Sequence, residues 1–208
     1  MRVCGIDEAG RGSMVGPLVV AGVVSDESKL DTIIKMGVKD SKLLDAESRE
    51  RLYGEIIKTL EYHVEVIPPD QVDGAVIWHD LNKLEATHMA IIAKKLGAET
   101  THVDSCDVNE ERFGKTISEM SGGLKINSKH HADALYPVVS AASIVAKVTR
   151  DREVAKLGIS GSGYPSDESS VEYLRNYYSK HKQMPSFARK KWDPVMRIVT
   201  SFCQQTLD

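Results

Sequence analysis

Short β-branched runs alternate along this chain with longer stretches in which apolar residues recur every three or four positions. Val3 to Ile6, Leu18 to Val24 and Tyr62 to Ile67 are bounded by Gly, Pro or Asp and have the pattern of strands; Thr101 to Asp104 is a fourth, and Leu124 to Ile126 a weaker fifth. Leu52, Ile56 and Leu60, at spacing four behind a candidate cap at Asp45, predict a helix, as do Leu84, His88, Ile91 and Ile92 behind Asn82. Asn82 with Glu85 three residues on has the form of a capping box, and Gly97 is placed to end that helix. Between Asp133 and Leu157, the residues Val138, Ala141, Val145 and Val148 lie on one stripe, which predicts a long buried helix with a small-residue face. The order is strand, strand, helix, strand, helices, strand, strand, helix, then a polar, Tyr-rich and helical C-terminal quarter. That order predicts an α/β domain with a mixed sheet.

Composition narrows the class. At 208 residues and 41% hydrophobic, the chain can bury one substantial core with a small appendage. No stretch approaches the ~20 apolar residues needed to span a bilayer, and Met1-Arg2-Val3 runs straight into a strand-like segment, so a cytoplasmic protein is expected. Cys4, Cys106 and Cys203 are odd in number and lack C-x-x-C spacing, which indicates neither a disulfide framework nor a zinc site. A net charge of -3 argues against coating nucleic acid by bulk electrostatics and leaves room for a local basic face.

The first strand carries the candidate chemistry. It ends in adjacent carboxylates, Asp7 and Glu8, followed by the side-chain-poor loop Gly10-Arg11-Gly12. The loop lacks the Gly-Lys-Ser/Thr ending of a nucleoside triphosphate loop and leads into a strand rather than a helix, which also excludes a dinucleotide site. Strand, Gly-rich loop, strand is a hairpin, in which the glycines could simply relieve the turn and Arg11 be solvated. The carboxylates resist so plain an account. Adjacent strand residues point to opposite faces, so one acid faces the covered side of the sheet, and a buried carboxylate calls for a cation. Asp104 closes the run "THVDS" at another strand end, and Asp133 sits where the long helix begins. Each has a local alternative, Asp104 as a turn residue and Asp133 as an N-cap. Four acids at strand ends and a helix start could converge on one sheet edge, an oxygen-only arrangement suited to Mg²⁺ or Mn²⁺. Adjacent histidines cannot easily share an ion, so His130 and His131 are assigned to the surface.

"GIDEAGRG", "VKDSKLL", "VDS" and "HHADALYPVVSAASIVAKVTRD" resemble the successive motifs of the type 2 ribonucleases H, specifically ribonuclease HII, over most of the chain. The resemblance implies an α/β ribonuclease H-like fold: a five-stranded mixed sheet with three antiparallel and two parallel strands, flanked by helices, plus a helical C-terminal region. Residues 1–158 would be the catalytic domain and 159–208 a substrate-binding region. It further implies that Asp7, Glu8, Asp104 and Asp133 are the catalytic, metal-binding acids, that Gly10, Arg11 and Gly12 read the substrate strand, and that Tyr164 packs on the ribonucleotide sugar. Lys39, Ser41 and Lys42 become candidate phosphate contacts, whereas Lys147 and Arg150 read as a solvated helix face. The expected activity is metal-dependent endonucleolytic hydrolysis of RNA in RNA–DNA hybrids and 5′ of single ribonucleotides in duplex DNA, leaving 3′-hydroxyl and 5′-phosphate ends. A monomer is expected. Two alternatives are weighed. Ribonuclease HIII carries an added N-terminal domain for which a motif beginning at Gly5 leaves no room, and a non-catalytic nucleic-acid-binding module would be expected to lose an acid. In the tail, Gln204, Thr206 and Leu207 match the start of a Q-x-x-L sliding-clamp peptide without its aromatic pair.

Overall fold

β1 (Arg2–Ala9) and β2 (Leu18–Asp26) are buried along almost their whole length, which is why they read as apolar runs and not as alternating ones. They belong to a five-stranded mixed sheet of order β3-β2-β1-β4-β5, with β3 at Glu61–Ile67, β4 at Thr100–Asp104 and β5 at Ile126–Lys129. β1 is antiparallel to β2, with Asp7 opposite Ala21 and Glu8 opposite Val20. It is parallel to β4, which is in turn parallel to β5. The structure is a computed structural model that describes residues 1–38 and 44–204. The helices of those residues are α1 (Leu30–Lys35), α2 (Ala46–Thr59), α3 (Pro69–Ile77), α4 (Leu81–Leu96), α5 (Glu110–Met120), α6 (Ala132–Leu135), α7 (Pro137–Ala155), α8 (Glu168–His181) and α9 (Asp193–Gln204). None is long and apolar enough to cross a membrane.

The chain forms two compact units that interleave in sequence. The first comprises Met1–Ala9, Val19–Glu65 and Asn82–Thr149; the second comprises Gly10–Leu18, Val66–Leu81 and the chain from Arg150 onward. In the first, Val138, Ala141, Ala142, Val145 and Val148 of α7 share a core with Val3, Ala21 and Val23 of the sheet and Leu52 and Ile56 of α2. The small-residue face lets α7 lie very close to β1: a Cβ at Gly5 would stand 2.3 Å from the Val138 carbonyl carbon. In the second unit, Met14, Val15, Leu174, Met184, Val195 and Ile198 form a separate core, with Tyr173, Tyr178, Trp192 and Phe202 packed on it.

Four details differ from the sequence reading, the first being that β5 shares only Ile126 with the run expected at Leu124 to Ile126. The long helix expected from Asp133 is broken: α6 ends at Leu135, Tyr136 is extended (φ -123, ψ 119), and α7 starts at Pro137. Proline disfavours helical backbone in the residue before it, so the break is local in origin. Asn82 lies inside α4, and its amide donates to Asp107 Oδ2 at 3.2 Å instead of acting as a cap. Helix α5 has no counterpart in the expected order. Asn109 caps it by accepting from the Arg112 N–H at 2.8 Å, and Phe113, Gly114 and Ile117 form its buried face.

Candidate metal centre and substrate loop

The acids come together because β1 and β4 are parallel neighbours and end side by side. Asp7 lies on β1 and is 5% exposed, Asp104 ends β4, and Asp133 lies in α6, also buried. One carboxylate oxygen from each of these three residues lies within 4.8 Å of the others. Asp104 helps assemble the group, since its Oδ1 accepts from the Ala132 N–H at 3.0 Å and so holds the start of α6. His131, left-handed at φ 56, is the N-cap residue of α6, while His130 Nε2 lies 2.7 Å from the Asp107 carbonyl. Behind α6, Asn127 Nδ2 donates to the Tyr136 hydroxyl at 2.9 Å, and His102 stacks on the Tyr136 ring with centroids 3.9 Å apart.

Electrostatics in this group are unfavourable without a cation. Burial, then the charge of Asp104, pushes Asp7 up from the ordinary carboxylate range to about 7. The Ser143 hydroxyl, the Glu8 N–H and the Lys147 charge oppose that shift and do not cancel it. The Glu8 N–H donates to Asp7 Oδ1 at 2.7 Å, and Lys147 Nζ donates to Ser143 Oγ at 3.0 Å. Glu8, half-buried beside Asp7, stands outside the convergent trio. An all-oxygen set of crowded, buried carboxylates fits a hard divalent ion.

The Gly-Arg-Gly loop belongs to the second unit. Gly10 has φ +87, and a Cβ there would meet the Pro17 carbonyl at 2.8 Å, so glycine is required by the protein itself. Gly12 differs: a Cβ there would have nothing within 4 Å. Arg189, fully buried, holds the loop by donating from Nη1 to the Arg11 carbonyl at 2.8 Å and from Nε to the Gly16 carbonyl at 3.2 Å. Met14 N–H donates to the Gly163 carbonyl at 2.8 Å, which ties the loop to the segment carrying Tyr164. Arg150 stands between the two, its Cζ 4.5 Å from the centre of the Tyr164 ring.

Arg150 corrects an expectation. It is 3% exposed and bonded to Ser13, Ser162 and Asp151, and so is not part of a solvated helix face. Lys147 is half-buried against Ser143. Lys39, Ser41 and Lys42 lie outside the described residues, as does the tail beyond Gln204. Sequence reasoning missed Arg189, Ser13 and Ser143, whose partners lie far along the chain or offer only a carbonyl or hydroxyl.

A mixed sheet of this order, with carboxylates gathered where its central parallel strands end, defines a ribonuclease H-like hydrolase. The family model of ribonuclease HII matches residues 4–195. The ribonuclease HII of Cenarchaeum symbiosum is 51% identical over 202 residues, covering 95% of this chain and 98% of that protein. The crystal structure of ribonuclease H2 from Pyrococcus horikoshii OT3 matches with a TM-score of 0.89 and 40% identity, over 98% of this chain and 100% of that one. The structure of a PCNA:RNase HII complex from Archaeoglobus fulgidus matches with a TM-score of 0.86 and 40% identity, over 93% and 96% of the two chains. The chain belongs to the ribonuclease HII family of metal-dependent endoribonucleases, which act as ribonucleases H on RNA–DNA hybrids.

Proposed function

We propose that this protein cuts duplex DNA on the 5′ side of a single embedded ribonucleotide, as well as the RNA strand of hybrids, leaving 3′-hydroxyl and 5′-phosphate ends. The convergence of Asp7, Asp104 and Asp133 within 4.8 Å carries this reading. Asp7, Asp104 and Asp133, with Glu8 beside them, would hold Mg²⁺ or Mn²⁺. Bound there, the ions would supply an activated water and stabilise the leaving 3′-oxygen.

The residues of the chain do the remaining work. Burial and the Asp104 charge hold Asp7 short of full ionisation, while its hydrogen bond with Ser143 and the Lys147 charge favour the ionised form. The open side of Gly12 lets the backbone approach a sugar, where an amide can satisfy a 2′-hydroxyl, the group that separates RNA from DNA. The Tyr164 ring would pack on the following deoxyribose, favouring an RNA-to-DNA junction. Lys39, Ser41 and Lys42 are assigned to phosphates, which position a duplex without reading its sequence. The complex formed by the Archaeoglobus fulgidus relative makes a sliding clamp a candidate partner here. Gln204, Thr206 and Leu207 match the start of a Q-x-x-L clamp peptide, and calorimetry of this chain against a clamp tests that partner.

The deciding experiment is a magnesium-dependent cleavage assay on a DNA duplex containing one ribonucleotide. A nick 5′ of that nucleotide is expected. Binding without cleavage in either Mg²⁺ or Mn²⁺ would instead support a non-catalytic module.

A further inference from the structure

Burying a guanidinium is unfavourable unless its N–H groups find acceptors. Arg150, 3% exposed, finds acceptors for its two Nη groups on segments far apart in sequence, while its buried Nε has none. Nη2 donates to Ser13 Oγ at 2.7 Å and to the Ser162 carbonyl at 2.6 Å, while Nη1 reaches the exposed Asp151 carboxylate at 3.1 Å. The central carbon of the same group, Cζ, lies over the Tyr164 ring, 4.5 Å from its centre. Ser13 Oγ is itself 2.8 Å from the Val15 carbonyl and 3.0 Å from the Gly163 carbonyl, so the hydroxyl that receives Arg150 is fixed by both segments. One rigid side chain thus touches the end of the Gly-Arg-Gly loop, the backbone before Tyr164 and the face of Tyr164.

We infer that Arg150 is a positioning residue that sets where the Tyr164 ring stands relative to the Gly10–Ser13 loop, and thereby sets the preference for a single ribonucleotide followed by DNA. The inference rests on the proposed roles of that loop and ring in reading the substrate. Arg150 itself faces inward and acts through Tyr164. Arginine suits this task because a planar fork can bridge a hydroxyl and a carbonyl while its face stacks on a ring; the compact ammonium of lysine supplies charge without that geometry.

The test is the ratio of kcat/KM on a duplex with one ribonucleotide to kcat/KM on an all-RNA strand paired with DNA. It is measured for wild type, Arg150→Lys, Tyr164→Ala and the double variant. Each single substitution should lower the ratio by about tenfold, as expected for one ring contact, and the double variant should fall no further than Tyr164→Ala alone. A parallel measurement without divalent metal, the relative affinity for the one-ribonucleotide duplex over the same duplex in all-DNA form, should fall in the same order. If Arg150→Lys misfolds by circular dichroism, Ser13→Ala removes the loop end of the bridge and should lower the ratio in its place. A wild type that discriminates while Arg150→Lys or Ser13→Ala slows both substrates equally would overturn the inference alone. So would a double variant in which the two losses simply add. A wild type without discrimination would overturn the underlying reading of loop and ring, and this inference with it.

Discussion

The acid trio and the arginine-braced loop treat buried charge in opposite ways. In the trio, like charges are forced together, and burial with the neighbouring Asp104 pushes Asp7 up to about 7. In the loop, two buried cations find most of their acceptors within the protein, with Arg150 Nε and Arg189 Nη2 left without a hydrogen-bond partner. Arg189 is taken up by the Arg11 and Gly16 carbonyls, and Arg150 by Ser13, the Ser162 carbonyl and the Tyr164 ring. Burial and the nearby Arg150 charge lower Arg189 to about 10, which leaves it protonated at neutral pH. The contrast separates two design problems. The proposed metal site keeps an electrostatic deficit that a cation would fill, whereas the proposed recognition loop is organised by the protein itself.

The largest effect should come from breaking the first side of this contrast. Asp7→Asn is expected to lower kcat/KM by more than about a hundredfold, because losing even an outer hydrogen-bond partner of a metal ligand can cost that much. The same substitution relieves repulsion with Asp104, so the metal-free variant should melt higher than metal-free wild type. Magnesium should then raise the melting temperature of wild type and barely move that of the variant. Near-normal magnesium-dependent cleavage by Asp7→Asn would end the assignment.

Arg189→Met attacks the second side. It leaves the Arg11 and Gly16 carbonyls without their buried donor, an expected loss of about 1–3 kcal/mol in urea unfolding. Hydrogen exchange should accelerate in residues 10–16 more than in the sheet. An unaltered exchange pattern would show that the loop holds its shape without this arginine.

The glycines sharpen the comparison within the loop. Gly10→Ala places a side chain at φ +87 against the Pro17 carbonyl and should destabilise by about 1–3 kcal/mol. Gly12→Ala meets no protein atom within 4 Å, so stability should stay within about 0.5 kcal/mol while cleavage of both substrates falls. Full activity in Gly12→Ala would show that no substrate backbone approaches there. A β-branched residue at either position should impair both substrates.

The smallest effect concerns acid. Asp167 accepts from the Ser162 N–H and hydroxyl and from the Ser169 N–H, and these bonds hold its carboxyl well below the usual range. A depressed folded-state pKa gives stability that is present above the unfolded value of about 3.9 and is lost as pH falls below it. Asp167→Asn should therefore flatten the acid limb of a melting curve recorded against pH, with little change at pH 7 in the slope. An acid limb identical to wild type would show that the bonds of Asp167 to Ser162 and Ser169 add no pH-dependent stability.

What the sequence disclosed depended on where each interaction's partners lie. The strands were legible because Val19 to Val24 and Thr101 to Val103 must be apolar wherever they pack, and Asp7 and Asp104 were conspicuous as charges closing such runs. Helix α5 was hidden because its buried face is little more than Phe113 and Ile117 in a polar stretch. The arginines were illegible for another reason. Ser13 and Arg150 are 137 positions apart, Arg11 and Arg189 are 178 apart, and a carbonyl acceptor leaves no mark on residue identity. Arg150 in "VTRD" looks in one dimension like any exposed helical cation.

The close seating of α7 on β1 makes Gly5 a fulcrum. Val138 rests on it without an intervening side chain, and Ser143 lies about 7.5 Å farther along the helix at the usual rise per residue. A methyl group added at position 5 would act as a wedge beneath a rigid lever, tilting the Ser143 hydroxyl and the Lys147 ammonium away from the carboxylate they steady. The alignment of the proposed metal site is thus geared to an atom that residue 5 does not possess.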